Sequence, residues 1–346
     1  MLPIIHITTI SMTAAAMKKP PVVILPGFGN ADIDYKTPFN QPEETGFVAA
    51  LSRRGFEDVT VVGLPRWEWV RVAGGLLDID FWLNKQRPES IAYGWYVERA
   101  RKTIVEASER SRGARVLVIG HSAGGWLARA ALGQGEWEVA ADAEGEAPTT
   151  VKARDAVCGL VTLGAPHFPP PKGSPPCATR GALATCDKEM PGAHLAAQGL
   201  ALVEPSAGIA YVTVAGSAIQ GNPSRPQGSG GVDPSDPTLP ARELLAGGAT
   251  PEADEIYVKR GEGSAARVAY TNYLALAGDG EALGDGVIPV GCAHLPGARQ
   301  LTLDGVLHSI NEAGTTLPTE RWYGSEKIVD LWLEPTMAEL KKVEAA

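Results

Sequence analysis

Short apolar runs alternate with amphipathic stretches along most of this chain, and the alternation predicts a mostly parallel sheet wrapped by helices on both faces. The runs Pro21–Gly27, Asp58–Leu64 (through Val59, Val61 and Val62), Val116-Leu117-Val118-Ile119, Cys158–Gly164, Ile209–Val214 and Gln300–Leu303 read as strands. Most are near-continuous apolar runs, as expected of strands covered on both sides. Helical character fills the gaps: Glu43–Arg54 closed by Gly55, Ser90–Arg110, Trp126–Leu132 stopped by Gly133, Ala265–Leu276, and a closing Ser325–Leu333. In Ser90–Arg110 the residues Ile91, Trp95, Ile104 and Val105 supply an inward face, with charges elsewhere. Gly135–Arg154 is polar, acidic and alanine-rich, the composition of a surface connection. No internal repeat is visible.

Three stretches break this rhythm. Pro65–Pro88 is irregular and aromatic: seven of the chain's 22 aromatic residues fall between Trp67 and Tyr96. Packing against the following helix and the wall of an apolar acyl pocket both fit this cluster. Residues 167–205 open with Pro169-Pro170-Pro171 and Pro175-Pro176, and 216–263 is dominated by Gly, Pro, Ser and Asp in its first half. Both are expected as insertions after late strands, one of them serving as a lid over a pocket. The expected organisation is a leader over 1–19 and a single domain over 20–340.

Composition narrows the function classes. With 31 Lys and Arg against 40 Asp and Glu, the net charge of -9 leaves no basic surplus to meet phosphates, which argues against nucleic acid as partner. Mean hydropathy is -0.05, and no run approaches the ~18 consecutive apolar residues of a membrane span; peripheral membrane contact stays open. The four cysteines, Cys158, Cys177, Cys186 and Cys292, have no zinc-type spacing, and no metal or other cofactor is expected. Cys177 and Cys186 share one loop and are candidates to pair in an oxidising compartment. The leader is rich in Ser, Thr and Ala and has no acidic residue before Asp32, a hint of a transit peptide, although it also lacks arginine.

The chemistry gathers at Gly120-His121-Ser122-Ala123-Gly124. A buried strand before, a glycine-flanked serine in a tight turn, and a helix after make the nucleophile-elbow context. A serine hydroxyl needs a histidine base, itself oriented by a carboxylate, and in this context the chain order is serine, acid, histidine. Of the six histidines, His308 follows the last strand directly and is the expected base. Asp279, Glu281 and Asp285 compete as the acid; Asp285 is favoured, because Val287-Ile288-Pro289 anchors it against the core. The first strand runs into Gly27-Phe28-Gly29-Asn30, so the expected oxyanion donors are the backbone N–H groups of Phe28 and Ala123.

Taken together, Pro26–Asn30, Gly120–Arg129, Leu163–His167, Gly284–Pro289, Leu303–Ser309 and Trp322–Ser325 resemble the plant and cyanobacterial α/β-hydrolases often labelled lipase-like or similar to GPI inositol-deacylase. The resemblance spans about residues 20–333. It implies an α/β-hydrolase fold, ester hydrolysis, and a triad of Ser122, Asp285 and His308. Plant members are expected in plastids, so the expected location is the chloroplast, with the cytoplasm as alternative. The extended Gly216–Gly263 region and the short leader depart from the family pattern, and the missing transmembrane segments separate this chain from a true GPI deacylase. The expected activity is hydrolysis of a lipid or other apolar ester through an acyl-enzyme. An acyltransferase using the same triad and a ligand receptor on the same fold are the alternatives.

Overall fold

The computed structural model describes residues 19–133, 136–139, 149–171, 178–189, 208–223, 265–311 and 319–345. Its central sheet contains β1 (Val22–Leu25), β2 (Val59–Val61), β3 (Val116–His121), β4 (Val157–Leu163), β5 (Ala210–Ser217) and β6 (Arg299–Asp304). Every pairing in it is parallel, in the order β6-β5-β4-β3-β1-β2. The leader, Cys177 of the expected Cys177–Cys186 pair and most of both expected insertions lie outside the described residues, while Cys186 is buried.

The longer helices are α1 (Phe47–Arg53), α2 (Gly94–Arg110), α3 (Ala123–Leu132), α4 (Ala178–Glu189), α5 (Ala266–Ala277) and α6 (Glu326–Glu344); α1, α2, α3 and α6 cover the sheet. The pleat sorts alternate strand residues between two cores. Val23, Leu25, Val116 and Val118 face α2 and α3, together with Tyr96, Ile104, Trp126 and Leu127. Val22, Ile24, Leu117, Ile119, Val161 and Val212 face α1 and α6, with Phe47, Leu51, Val329 and Trp332. The inner strands β1, β3 and β4 therefore read as continuous apolar runs because both faces are covered, whereas the edge strand β6 is mostly exposed and alternates.

Several elements differ from the sequence expectation. The long central helix starts at Gly94, not Ser90; residues 90–93 form a turn in which Tyr93 and Gly94 N–H groups reach the Ser90 carbonyl. The closing helix runs on to Glu344 with Pro335 inside it, eleven residues past the expected end at Leu333. The expected helix Glu43–Arg54 is a 3-10 turn at Glu43–Thr45 followed by α1. Within the expected surface connection, Glu136–Val139 pairs antiparallel with Thr149–Lys152. The aromatic stretch after β2 is mostly 3-10 helix, Arg66–Leu77, followed by a short helix at Ile79–Trp82.

The chain enters the sheet at β1, steps to β2 on one side, and returns to β3 on the other. That reversal opens a crevice beyond the carboxyl ends of β1 and β3, the place where open α/β sheets hold ligands. This strand order, with a serine turn closing β3 and opening α3, is an α/β-hydrolase fold.

Candidate active site

Ser122 stands between the last residue of β3 and the first of α3 with φ 53° and ψ −127°. That conformation is strained for a residue with a Cβ, by roughly 1–3 kcal/mol, and persists only where the surroundings enforce it. The enforcement comes from close backbone approach. A Cβ on Gly124 would sit 2.1 Å from the Leu25 carbonyl oxygen, and one on Gly27 would sit 2.7 Å from the Ser122 Cβ. Glycine at both positions lets the loop after β1 lie directly against the serine turn.

His308 lies on the loop after β6. Its Nε2 is 2.9 Å from Ser122 Oγ, and its Nδ1 is 2.8 Å from Asp285 Oδ2. The backbone repeats the link, since the His308 N–H donates to the Asp285 carbonyl at 2.9 Å. Asp285 is 2% exposed and its carboxylate is fully engaged. Oδ1 accepts the N–H groups of Val287 (3.0 Å) and Ile288 (2.7 Å), while Oδ2 accepts from His308 and from the Tyr323 hydroxyl at 2.8 Å. The Val287-Ile288 stretch thus holds the acid by its backbone as well as by packing. Asp279 and Glu281 are exposed and bond to each other's stretch of chain, Asp279 Oδ1 accepting the Glu281 N–H.

The remaining described histidines serve elsewhere. His167 bonds Thr162 and the guanidinium of Arg129, and His294 lies between Thr213 and Thr302. His121 is buried beside the site: its Nε2 is 2.8 Å from the His308 carbonyl and its Nδ1 is 2.8 Å from the Tyr35 hydroxyl. A carbonyl only accepts, so Nε2 carries the proton of a neutral ring. Burial first, and the neighbouring His308 next, hold the His121 pKa down at about 3.

The loop Pro26–Asn30 is pinned by four side chains. Tyr96 Oη donates to the Pro26 carbonyl (2.8 Å), Tyr35 Oη accepts the Gly27 N–H (3.0 Å), Arg66 Nε donates to the Gly29 carbonyl (3.0 Å), and Trp69 Nε1 donates to the Asn30 carbonyl (2.7 Å). Neither Phe28 N–H nor Ala123 N–H has an acceptor among the described residues. The Phe28 ring is 59% exposed and lies 5.0 Å from the Trp69 ring. The aromatic cluster divides accordingly: Trp69, Tyr93 and Tyr96 are buried, whereas Trp67 and Trp82 are exposed.

The structure therefore brings Ser122, His308 and Asp285 into one hydrogen-bonded line, with Ala123 next to the serine in the chain and Gly27, the residue before Phe28, packed against the serine turn. Sequence reasoning missed Tyr323, Tyr35, His121, Arg66 and Trp69. Tyr323 stood within the Trp322–Ser325 motif of the family resemblance without a role, and nothing in local patterning joins it to Asp285. Among the described residues no cluster of His, Cys, Asp or Glu is arranged to hold a metal ion, and no helix is long and apolar enough to cross a membrane.

Neither a model of a known protein family nor a curated protein matches the sequence. Among solved structures the chain is similar to the mature lipase BlEst2 of Bacillus licheniformis at 15% identity and a TM-score of 0.43, covering 94% of this chain and 93% of that one. It is similar to lipase B of Aspergillus fumigatus at 16% identity and a TM-score of 0.33, covering 92% and 63%. It is also similar to the phospholipase PlaB of Legionella pneumophila, solved in complex with thio-NAD, at 13% identity and a TM-score of 0.28, covering 57% and 38%.

Proposed function

We propose that this protein is a serine hydrolase of carboxylic esters with an apolar acyl part. The observation that carries the reading is the strained Ser122, with Oγ 2.9 Å from a histidine whose other nitrogen is 2.8 Å from a buried, fully bonded aspartate. Ser122 Oγ attacks the ester carbonyl while His308 Nε2 takes its proton. The tetrahedral oxyanion is held by the Phe28 and Ala123 N–H groups, with the N-terminus of α3 behind it. Collapse expels the alcohol, protonated by His308, and leaves an acyl-enzyme on Ser122. Water, deprotonated by the same nitrogen, then releases the acid. Asp285 orients His308 through Nδ1 and balances its charge without taking the proton.

Support for an apolar acyl part comes from the exposed Phe28 ring, which packs on Trp69, and from the exposed apolar side chains Trp67, Leu77 and Ile79 in the segment that follows β2. Each added methylene buried there is worth about 0.8 kcal/mol, a factor of roughly three to four in kcat/KM until the pocket is full. A series of p-nitrophenyl esters from acetyl to decanoyl should climb accordingly, and a flat or falling series would remove the apolar-acyl part of the reading. The test of the reaction itself is Ser122→Ala. Activity should fall by about 10⁶ in kcat and fluorophosphonate labelling should vanish, with the fold retained by circular dichroism. A folded Ala variant keeping a tenth of the wild-type rate would end the proposal. Product analysis with an acceptor alcohol present separates hydrolysis from acyl transfer.

A further inference from the structure

We propose that Tyr35 and His121 form one positioning unit that ties the loop carrying Phe28 to the backbone of His308. The inference rests on the hydrolase reading above and deepens it. The line of contacts is continuous. The Gly27 N–H donates to Tyr35 Oη at 3.0 Å, the Tyr35 hydroxyl donates to His121 Nδ1 at 2.8 Å, and His121 Nε2–H donates to the His308 carbonyl at 2.8 Å. Asn30 Nδ2 adds a second donor to Tyr35 Oη at 3.2 Å, so that hydroxyl uses its one proton and both lone pairs. His121 likewise has both nitrogens engaged. Neither ring has freedom to turn without leaving a buried polar group unpaired, because Tyr35 and His121 are each 1% exposed.

The Pro26–Gly27 peptide group is gripped at both edges, its carbonyl by Tyr96 Oη at 2.8 Å and its N–H by Tyr35. The next N–H along the chain is that of Phe28, and the Gly27 carbonyl is fixed by the Asn30 N–H at 3.1 Å. At the far end of the line, the same His308 whose carbonyl receives His121 presents Nε2 to Ser122. One buried pair thus connects the oxyanion side of the site with the base side. The two groups must act in the same transition state, so holding them at a fixed separation is a contribution to kcat more than to substrate binding. Neither residue touches the reacting atoms.

The test uses the full-length protein and p-nitrophenyl butyrate, with active sites counted by fluorophosphonate titration and folding followed by Tm. Tyr35→Phe keeps the ring and removes the hydroxyl; kcat should fall roughly 10- to 100-fold with KM within about twofold. His121→Leu should lose a similar factor. His121→Gln, whose amide N–H reaches the position of Nε2, should recover to within about fivefold of wild type. The double variant Tyr35→Phe/His121→Leu should be no worse than the poorer single one, because a unit broken once is broken. Additive losses, a loss confined to KM, or a Gln variant no better than Leu would each overturn the proposal. Should His121→Leu not fold, the kcat-against-KM split of Tyr35→Phe and the level of His121→Gln decide it alone. Ser122→Ala runs in parallel: if it is inactive while the cycle is additive, only the coupling fails, and if it stays active both readings fall.

Discussion

At the residue scale, the carboxylate of Asp285 decides most. Asp285→Asn keeps the shape but orients His308 through the wrong tautomer, so kcat should drop by about 10⁴, whereas Asp279→Asn, at an exposed site, should stay within about twofold. A larger loss at Asp279 would reverse the assignment of the acid. Tyr323→Phe removes one donor from the oxygen that faces His308 and strands the Gly216 N–H, which Tyr323 Oη accepts at 2.7 Å. With that donor gone, the oxygen that orients His308 loses one of its two restraints. kcat/KM should therefore fall by roughly tenfold, and ester turnover by a folded Tyr323→Phe variant measures it. Ser122, Asp285 and His308 were legible in sequence because each sits where chain order and a flanking strand or turn mark it. Tyr323 and Tyr35 were not, since a tyrosine hydroxyl's partner is set by tertiary contact 38 residues away in one case and 86 in the other.

At the element scale, the elbow depends on how closely α3 and β1 approach. Gly124→Ala places a methyl group where the Leu25 carbonyl oxygen already lies, at 2.1 Å, and backbone cannot rotate away as a side chain does. The variant should lose at least about 1–3 kcal/mol and, because the shift falls on Ser122, far more in activity than in stability. Thermal melts and ester turnover on the same sample give the two numbers. The strands were readable from their continuous apolar runs, whereas Arg66–Leu77 was not. A 3-10 segment repeats near three residues per turn and offers no stripe of the kind that reveals an α-helix. Its role was also hidden: Arg66 and Trp69 reach back to the Gly29 and Asn30 carbonyls, a function no local pattern encodes. The closing helix outran its expected end because Pro335 sits inside it without ending it.

At the scale of the whole molecule, two fully buried histidines among the described residues give stability a pH dependence. His121 is lowered from its usual 6.5 to about 3, and His167 well below 6.5, burial being the first cause in both and Arg129 the next at His167. Between those values the unfolded chain binds protons that the folded chain refuses. Stability is thus full above pH 6.5 and declines as pH falls, by up to about 1.4 kcal/mol per pH unit for each histidine. Urea midpoints at pH 7, 5.5 and 4.5 should fall in that order, and His121→Gln should flatten the trend; equal midpoints would contradict it. The parallel order of the sheet has a further consequence for synthesis. Ser122 is made early, but Asp285 and His308 come after β5 and beside β6, the edge strand whose only neighbour in the central sheet is β5. On the proposed mechanism, a ribosome-bound chain shorter than His308 has the nucleophile and lacks its base. Reactivity of Ser122 toward a fluorophosphonate should therefore serve as a clock for the last strand to dock, with an unfinished chain silent toward that probe.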